Sequence, residues 1–173
     1  MVSIERAQGW SRQLRLTPLS AAAYITIKVL TALVLGAASV AVVYIVGVVT
    51  NKASMPTYLW VVTGLCVWIG SLLFAAFGLF TGYLLPSENV TQVIALALTL
   101  CSFAGGLFIP LSHFSPDLQT FAKFTPLYGL NQLVHYPLAG GALEWAWILN
   151  LAVWLAIFVT GAAWGLRRDT ARV

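Results

Sequence analysis

Long apolar runs, separated by short polar stretches, make up most of this chain. Four of them stand out, over roughly 21–49, 57–85, 90–110 and 144–166. A helix needs about 20 apolar residues to cross a hydrocarbon core of about 30 Å, and each run reaches that length. A membrane β-barrel would instead have short segments of alternating polar and apolar residues, which this pattern lacks. The pattern predicts an all-α fold: a polytopic helical membrane protein with four transmembrane helices.

The stretch 107–143, from the end of the third run to the start of the fourth, has a different pattern, which is centred on about 112–139. It is too apolar for a free loop and too rich in proline for one span. Ser115-Pro116-Asp117 combines a capping residue, a proline at the first helical position and an acid in the first turn. Thr125-Pro126 repeats the cap and the proline. We therefore predict a re-entrant hairpin of two short helices on the outer side, packed on the spans because non-helical backbone at membrane depth must be covered by protein. The prolines that divide the stretch are Pro110, Pro116, Pro126 and Pro137.

Residues 1–20 precede the first apolar run, and their pattern is basic and amphipathic. On a helical wheel, one stripe is mainly apolar and the remaining surface carries charged and amide side chains. Pro18 ends this helix or redirects it into the first span. Taken alone, the pattern favours a helix that lies among lipid head groups over a helix that docks a protein. The stripe consists of Ile4, Ala7, Trp10, Ser11 and Leu14.

Composition and charge agree with a membrane protein and predict its orientation. The chain is 60% hydrophobic and 8% charged, whereas soluble domains are about 25% charged. Its net charge of +4 could indicate nucleic-acid binding, but the basic residues lie beside the ends of the spans, where orientation and anionic lipids explain them better. With four spans, the basic clusters at the two termini share one side. We therefore predict that both termini are cytoplasmic, although Lys52 opposes this weakly.

Few polar residues interrupt the spans. Lys28 lies about two turns into the first run, and we expect its side chain to reach back to the interface, because a charge at the bilayer centre costs about 2.5–3.5 kcal/mol or more. The alternative is a residue in a substrate path. Asn150 alone, near the start of the last run, indicates no catalyst. We interpret four tryptophans as interfacial belts: Trp60, Trp145, Trp147 and Trp164.

Neither metal chemistry nor dimer contacts follow from the remaining motifs. His113, Asp117, His135 and Glu144 fit no zinc-binding spacing, and we expect them to be solvated. Two Gly-x-x-x-Gly pairs permit close approach of helices, which we interpret as packing within the chain. These pairs are Gly78 with Gly82 and Gly161 with Gly165.

Three motifs, in this order along the chain, carry a resemblance to a known family. The first is Glu5-Arg6, Gly9 and Leu14-Arg15-Leu16-Thr17-Pro18-Leu19-Ser20; the second is Leu84-Leu85-Pro86-Ser87-Glu88-Asn89. The third is Gly105-Gly106-Leu107-Phe108-Ile109-Pro110-Leu111-Ser112 with Pro116 and Thr125-Pro126-Leu127. They are similar to the coupling helix, an inner loop and the outer element of type-2 ABC transporter permeases, except that Thr125 stands where Asn is usual. The resemblance covers nearly the whole chain.

The resemblance implies that residues 1–20 are a cytoplasmic coupling helix and that 21–173 form the transmembrane domain. It implies a permease of a bacterial cell membrane that exports drugs, lipids or polysaccharides, pairs with a second permease copy in a homo- or heterodimer, and is driven by a separate ABC ATPase. The chain has no G-x-x-x-x-G-K-[ST] phosphate loop, so we expect no enzyme activity, no cofactor, and ATP used only by the partner. The implied coupling residues are Arg6, Trp10, Arg12, Leu14, Arg15, Thr17 and Pro18, and the implied outer re-entrant element includes Gly106, Pro110, Pro116 and Pro126.

Members of that family usually have two further spans ahead of the coupling helix, so we expect this chain to be a fragment of such a permease. The alternative is a membrane anchor or assembly subunit that does not transport. A third hypothesis, an integral membrane enzyme, is disfavoured because the spans lack ionisable residues apart from Lys28. The sequence does not define the transported substrate.

Overall fold

A computed structural model of the chain describes residues 21–50, 55–86, 88–140 and 142–171. Every regular element within these ranges is helical, which confirms the all-α fold class. The coupling helix predicted over residues 1–20 lies outside the described residues. In chain order the elements are α1 (Ala21–Val49), α2 (Thr57–Leu84), α3 (Val90–Ala104), a short 3-10 helix (Leu111–His113), α4 (Pro116–Ala122), α5 (Tyr128–Ala139) and α6 (Trp145–Ala171).

Three helices in the described part of the chain are long and apolar enough to cross a membrane. They comprise Ala23–Val49 of α1, Thr57–Leu84 of α2 and Trp145–Arg168 of α6, with 27, 28 and 24 residues. At 1.5 Å per residue, each is at least about 36 Å long, which exceeds the hydrocarbon thickness of about 30 Å. The chain is an integral membrane protein with at least these three candidate spans.

The third predicted span, over 90–110, is not one continuous helix. α3 ends at Ala104 after 15 residues, which gives it a length of only about 22 Å. Gly106 then adopts φ = +80°, a conformation that favours glycine, and a Cβ there would lie 2.7 Å from Leu111 Cγ. The chain therefore turns where the apolar pattern continues. The prediction of four spanning helices is not confirmed.

α2 is the central helix of the fold, because α1, α5 and α6 all pack against it. Its contact with α6 is the most extensive, and the rings of Phe77 and Phe158 meet edge to face with centroids 5.2 Å apart. The glycines of α6 allow this close approach: a Cβ on Gly161 would lie 2.5 Å from the Phe80 ring, and one on Gly165 would lie 2.7 Å from Tyr83 Cβ. These two glycines pack within the chain, as predicted.

α1 packs on another side of α2 and is tied to it by polar side chains. Thr63 Oγ1 donates to the Leu59 carbonyl, so it accepts the hydrogen bond from the Tyr44 hydroxyl at 2.8 Å. Trp68 Nε1 donates to the Leu33 carbonyl at 2.9 Å. In a medium without water, each of these bonds is costly to lose. They hold α1 in register with α2, although most apolar side chains of α1 are exposed.

The sequence predicts that the Lys28 side chain reaches back to the membrane interface and that four tryptophans lie at the interfaces, and the structure agrees with this for some of these residues. Lys28 Nζ lies 5.3 Å from the centre of the Tyr24 ring, so its side chain extends towards the start of α1. Trp145 and Trp164 are exposed, at 78% and 55%, as belt residues are. The interpretation is wrong for Trp147, which is only 9% exposed because Tyr128 and Ala122 cover it.

A glycine substitution tests the packing of α6 on α2. We expect Gly165→Ala to lower the free energy of unfolding by about 1–3 kcal/mol, because its Cβ would press on Tyr83 Cβ, which cannot move without its backbone. Gly78→Ala is the matched control: a Cβ at Gly78 meets no atom within 4 Å, and Ala gains up to about 1 kcal/mol in a helix. Thermal unfolding in detergent measures both. Equal midpoints for the two variants would contradict this account of the interface.

Candidate functional site

Residues 105–140 depart most from the straight helices of this fold, and we name them the short-helix segment. Three of the positions predicted for a re-entrant element lie at its breaks. Gly106 forms the turn after α3, Pro110 immediately precedes the 3-10 helix, and Pro116 is the first residue of α4. The fourth, Pro126, lies in the turn between α4 and α5. These four positions therefore lie where helices of this segment stop or start.

Two local predictions in the segment are wrong. Thr125 does not cap α5, which begins at Tyr128; its hydroxyl instead donates to the Ala122 carbonyl at 2.7 Å, at the end of α4. Pro137 does not divide the chain but lies inside α5. A proline there leaves one carbonyl of the preceding turn without its usual donor. α5 continues for only two residues after Pro137 and ends before Gly140, which adopts φ = +64°.

Asn150 of α6 satisfies the backbone of the turn between α4 and α5. Its Nδ2 donates to the carbonyls of Lys123 at 2.9 Å and Thr125 at 3.2 Å. Its Oδ1 accepts from the Gly129 amide at 3.3 Å. A single side chain thus provides partners for three of the backbone groups that are left over where one helix ends and the next begins. Asn150 fastens the short-helix segment to a spanning helix.

Two further side chains extend this network of hydrogen bonds. Trp154, one turn after Asn150 on α6, donates from Nε1 to the Phe124 carbonyl at 3.0 Å. Asn131 of α5 donates from Nδ2 to the Gly105 carbonyl at 3.1 Å, which joins α5 to the turn after α3. Backbone carbonyls in the break after α3 and in the turn between α4 and α5 therefore both accept hydrogen bonds from side chains of neighbouring helices.

The segment also packs closely on α6 and α2. A Cβ on Gly129 would lie 2.5 Å from the Trp147 carbonyl oxygen, so only glycine allows this approach of α5 to α6. Leu127, 2% exposed, belongs to a core cluster with Leu73 of α2 and Phe158 of α6. Packing and hydrogen bonds together make the segment one unit with the spans.

Polar residues of the apolar helices carry this network, and sequence reasoning missed them. In the sequence Asn150 indicates no catalyst, and no motif marks Asn131 or Trp154. The available signal was the presence of a strongly polar amide in an apolar run, which is costly in a membrane unless it has partners. The predicted coupling residues, from Arg6 to Pro18, lie outside the described residues.

The titratable side chains of the segment form no reactive cluster. His113, Asp117 and His135 are exposed, as is Glu144 just before α6. Within the described ranges, no group of three or more His, Cys, Asp or Glu side chains is arranged to hold a metal ion. The polar side chains that do make contacts between elements here, Asn131, Asn150 and Trp154, bond to backbone groups.

Comparisons with known proteins give a consistent assignment. The model of the family described as ABC-2 type transporter matches residues 1–139. The chain is also 25% identical, over 167 residues, to a protein of Bacillus subtilis (strain 168) named "Putative transport permease YvfS"; the match covers 96% of this chain and 68% of that protein. No solved structure matches the chain.

Removal of the Asn150 side chain tests whether it holds the segment in place. In Asn150→Ala the buried Gly129 amide loses its acceptor, which costs about 1–3 kcal/mol; the Lys123 carbonyl, which is exposed, and the Thr125 carbonyl, which still accepts from the Tyr128 amide, each lose one donor. We expect the Gly129 amide to exchange with solvent deuterium roughly tenfold faster or more, since 1.4 kcal/mol corresponds to tenfold.

Hydrogen–deuterium exchange with mass spectrometry measures this effect over residues 123–131. Asn89→Ala is the matched control, because Asn89 precedes α3 without a side-chain capping bond. Unchanged exchange in Asn150→Ala, or an equal change in Asn89→Ala, would contradict the role of Asn150.

Proposed function

Because the chain belongs to the ABC-2 type transporter family, a family of transport permeases rather than of enzymes, we propose that it forms the membrane part of an ATP-driven exporter. The observation that carries the proposal is the family match over residues 1–139. This match includes the basic stretch 1–20 as well as the spans α1 and α2 and the short-helix segment. The alternative, an anchor that does not transport, is not favoured, since the family and the relative in Bacillus subtilis are described as a transporter and a transport permease.

We place the energy source on a separate cytoplasmic ABC ATPase. The given sequence contains no phosphate-binding loop of the G-x-x-x-x-G-K-[ST] type, and we assign ATP hydrolysis to a partner chain. The stretch 1–20 is the proposed contact, with Arg6, Arg12 and Arg15 towards the ATPase or lipid head groups and Trp10 and Leu14 as its apolar anchors. Thr17 and Pro18 form its end, next to α1.

The packing of the helices supports a mechanical path from this contact. α1 begins at Ala21, directly after the proposed coupling helix, so a push on residues 1–20 acts first on α1. The Tyr44–Thr63 and Trp68–Leu33 hydrogen bonds tie α1 to α2. α2 in turn contacts α5 and α6. A displacement at the coupling helix would therefore reorient the spans and the short-helix segment together, as in rigid-body switching between two states.

We further propose that two permease copies, identical or different, enclose the pathway in a bacterial cell membrane. Exposed apolar side chains on α1, such as Val34 and Val43, supply surface for lipid or for a second copy. The spans are apolar with Lys28 near one end, which is compatible with hydrophobic drugs or lipids as cargo. The short-helix segment is proposed to lie on the outer side as a re-entrant element, with both termini in the cytoplasm.

Replacement of two residues in the proposed coupling helix tests the link to an ATPase. We expect alanine at both Leu14 and Arg15 to abolish co-purification of the ATPase and ATP-driven dye transport into inverted vesicles, because an apolar anchor and a positive charge are lost together. The matched control places alanine at Arg172 and Val173, which removes the same types of side chain from the other terminus. Unchanged association and transport in the first variant would refute the docking role.

Labelling of single cysteines tests the proposed orientation. In a background with Cys66→Ala and Cys101→Ala, we expect a membrane-impermeant maleimide to label Ser112→Cys in intact cells, and to label Ser3→Cys only after the membrane is opened. The physical reason is that basic residues near span ends are retained in the cytoplasm, and we propose that α3, together with residues 105–110, takes the chain to the outer side. Labelling of both positions from the same side would contradict this topology.

A further inference from the structure

An apolar cavity of about 280 Å³ lies between α2, α5 and α6. Cys66 and Ile69 line it on α2, Leu133 lines it on α5, and Ala152 and Leu155 line it on α6. Every lining side chain is apolar apart from the Cys66 thiol. A water molecule needs two to four polar partners to occupy a buried site, so this cavity has no means of holding water.

The cavity is too small to enclose a whole helix, and it admits a slender hydrocarbon. A helix about 10 Å across, running beside the stretch from Cys66 to Leu73 at 1.5 Å per residue, would occupy about 800 Å³, far more than is present. An engineered apolar cavity of about 150 Å³ stays dry and binds benzene. The space here therefore fits a hydrocarbon segment of roughly twice that size.

The cavity opens sideways, at the depth of the hydrocarbon core. Its rim includes Ile69, 59% exposed, and Ala152, which is also exposed. At 1.5 Å per residue, Ile69 lies about 18 Å along α2 and Ala152 about 10 Å along α6. Both depths fall within a core of about 30 Å, so the molecules that reach the rim are lipid tails. If the cavity stayed empty, its lining would forfeit the dispersion contacts that a chain of methylenes supplies.

We propose that this cavity binds one acyl chain of a membrane phospholipid. The acyl chain enters between α2 and α6 and contacts Leu130 and Leu133 of α5 at the inner wall of the cavity. The bound chain then completes the packing of the short-helix segment on the spans, in the same way that a side chain fills a core. The site requires only that the protein lies in a bilayer, so it stands whether or not the transport proposal holds.

Photolabelling of the full-length chain tests the site. The protein is placed in nanodiscs of phosphatidylethanolamine and phosphatidylglycerol that contain a phosphatidylcholine with a diazirine midway along one acyl chain. After illumination, adducts are mapped by mass spectrometry. We expect adducts at Cys66–Leu73 and at residues 148–155 to be more frequent than those at Val34 and Val43, which are exposed on α1 and report contact with bulk lipid. Equal frequencies at the two sets would overturn the proposal.

A pair of substitutions on one helix separates the cavity from the lipid surface around it. Ala152→Phe places a ring in the cavity and is expected to reduce its adducts roughly tenfold, since the free volume falls towards that of a benzene-sized site. Ala156→Phe, one turn later on an exposed position outside the lining, is expected to leave them unchanged. If the Ala152→Phe protein does not fold in nanodiscs, the Ala152→Leu protein is used in its place, because leucine fills less of the cavity. An equal loss in both variants, or none in either, would overturn the proposal.

Discussion

Backbone hydrogen-bonding groups have no water to bond with inside a bilayer, and the whole arrangement of this chain depends on that constraint. Straight helices such as α1 and α2 satisfy it internally. The turn between α4 and α5 does not, because it leaves several carbonyls and amides without helical partners. Asn150 and Trp154 of α6 supply what is missing, through bonds to Lys123, Thr125 and Phe124. Broken helices persist beside the spans because a spanning helix carries their hydrogen bonds.

The hydrogen bonds between α6 and the turn form only because the helices approach one another closely. Gly129 lets α5 come near enough to α6 for its amide to reach Asn150, and Gly161 and Gly165 bring α6 against α2. Lipid offers no hydrophobic driving force between helices, so van der Waals contact and side-chain hydrogen bonds must supply the attraction. α2 then lies at the centre, in contact with α1, α5 and α6. α1, α5 and α6 are therefore connected to one another through their contacts with α2.

The chain belongs to the ABC-2 type transporter family, and its architecture can be related to the requirements of a permease. A permease must change the relative positions of its spans without exposing backbone groups to lipid. In the short-helix segment, the backbone groups of the turn between α4 and α5 are bonded by side chains of α6. The apolar cavity between α2, α5 and α6 lies at the same junction. Its lining includes residues of the two spans α2 and α6 and of α5 in the short-helix segment.

Much of the fold follows from local sequence. Apolar length predicted α1, α2 and α6, Ser115-Pro116-Asp117 marked the start of α4, and Gly161 with Gly165 indicated close packing. These features depend on neighbours within one or two turns, which a sequence displays directly. The end of α3 was misplaced, because the apolar pattern continues through Gly105-Gly106 while the backbone turns at a positive φ.

Only the tertiary structure decided the rest. Thr125 was expected to cap α5, yet the partner that satisfies this turn is Asn150, 25 residues further along the chain. Trp147 was expected at an interface, yet Tyr128 and Ala122 bury it. The cavity appears only when three separate helices meet. The sequence by itself determined the class of protein, three long apolar helices and several of the helix breaks, since these are properties of contiguous residues. The tertiary structure decided which side chains satisfy those breaks and what space is left, because both depend on contacts between residues far apart in the chain.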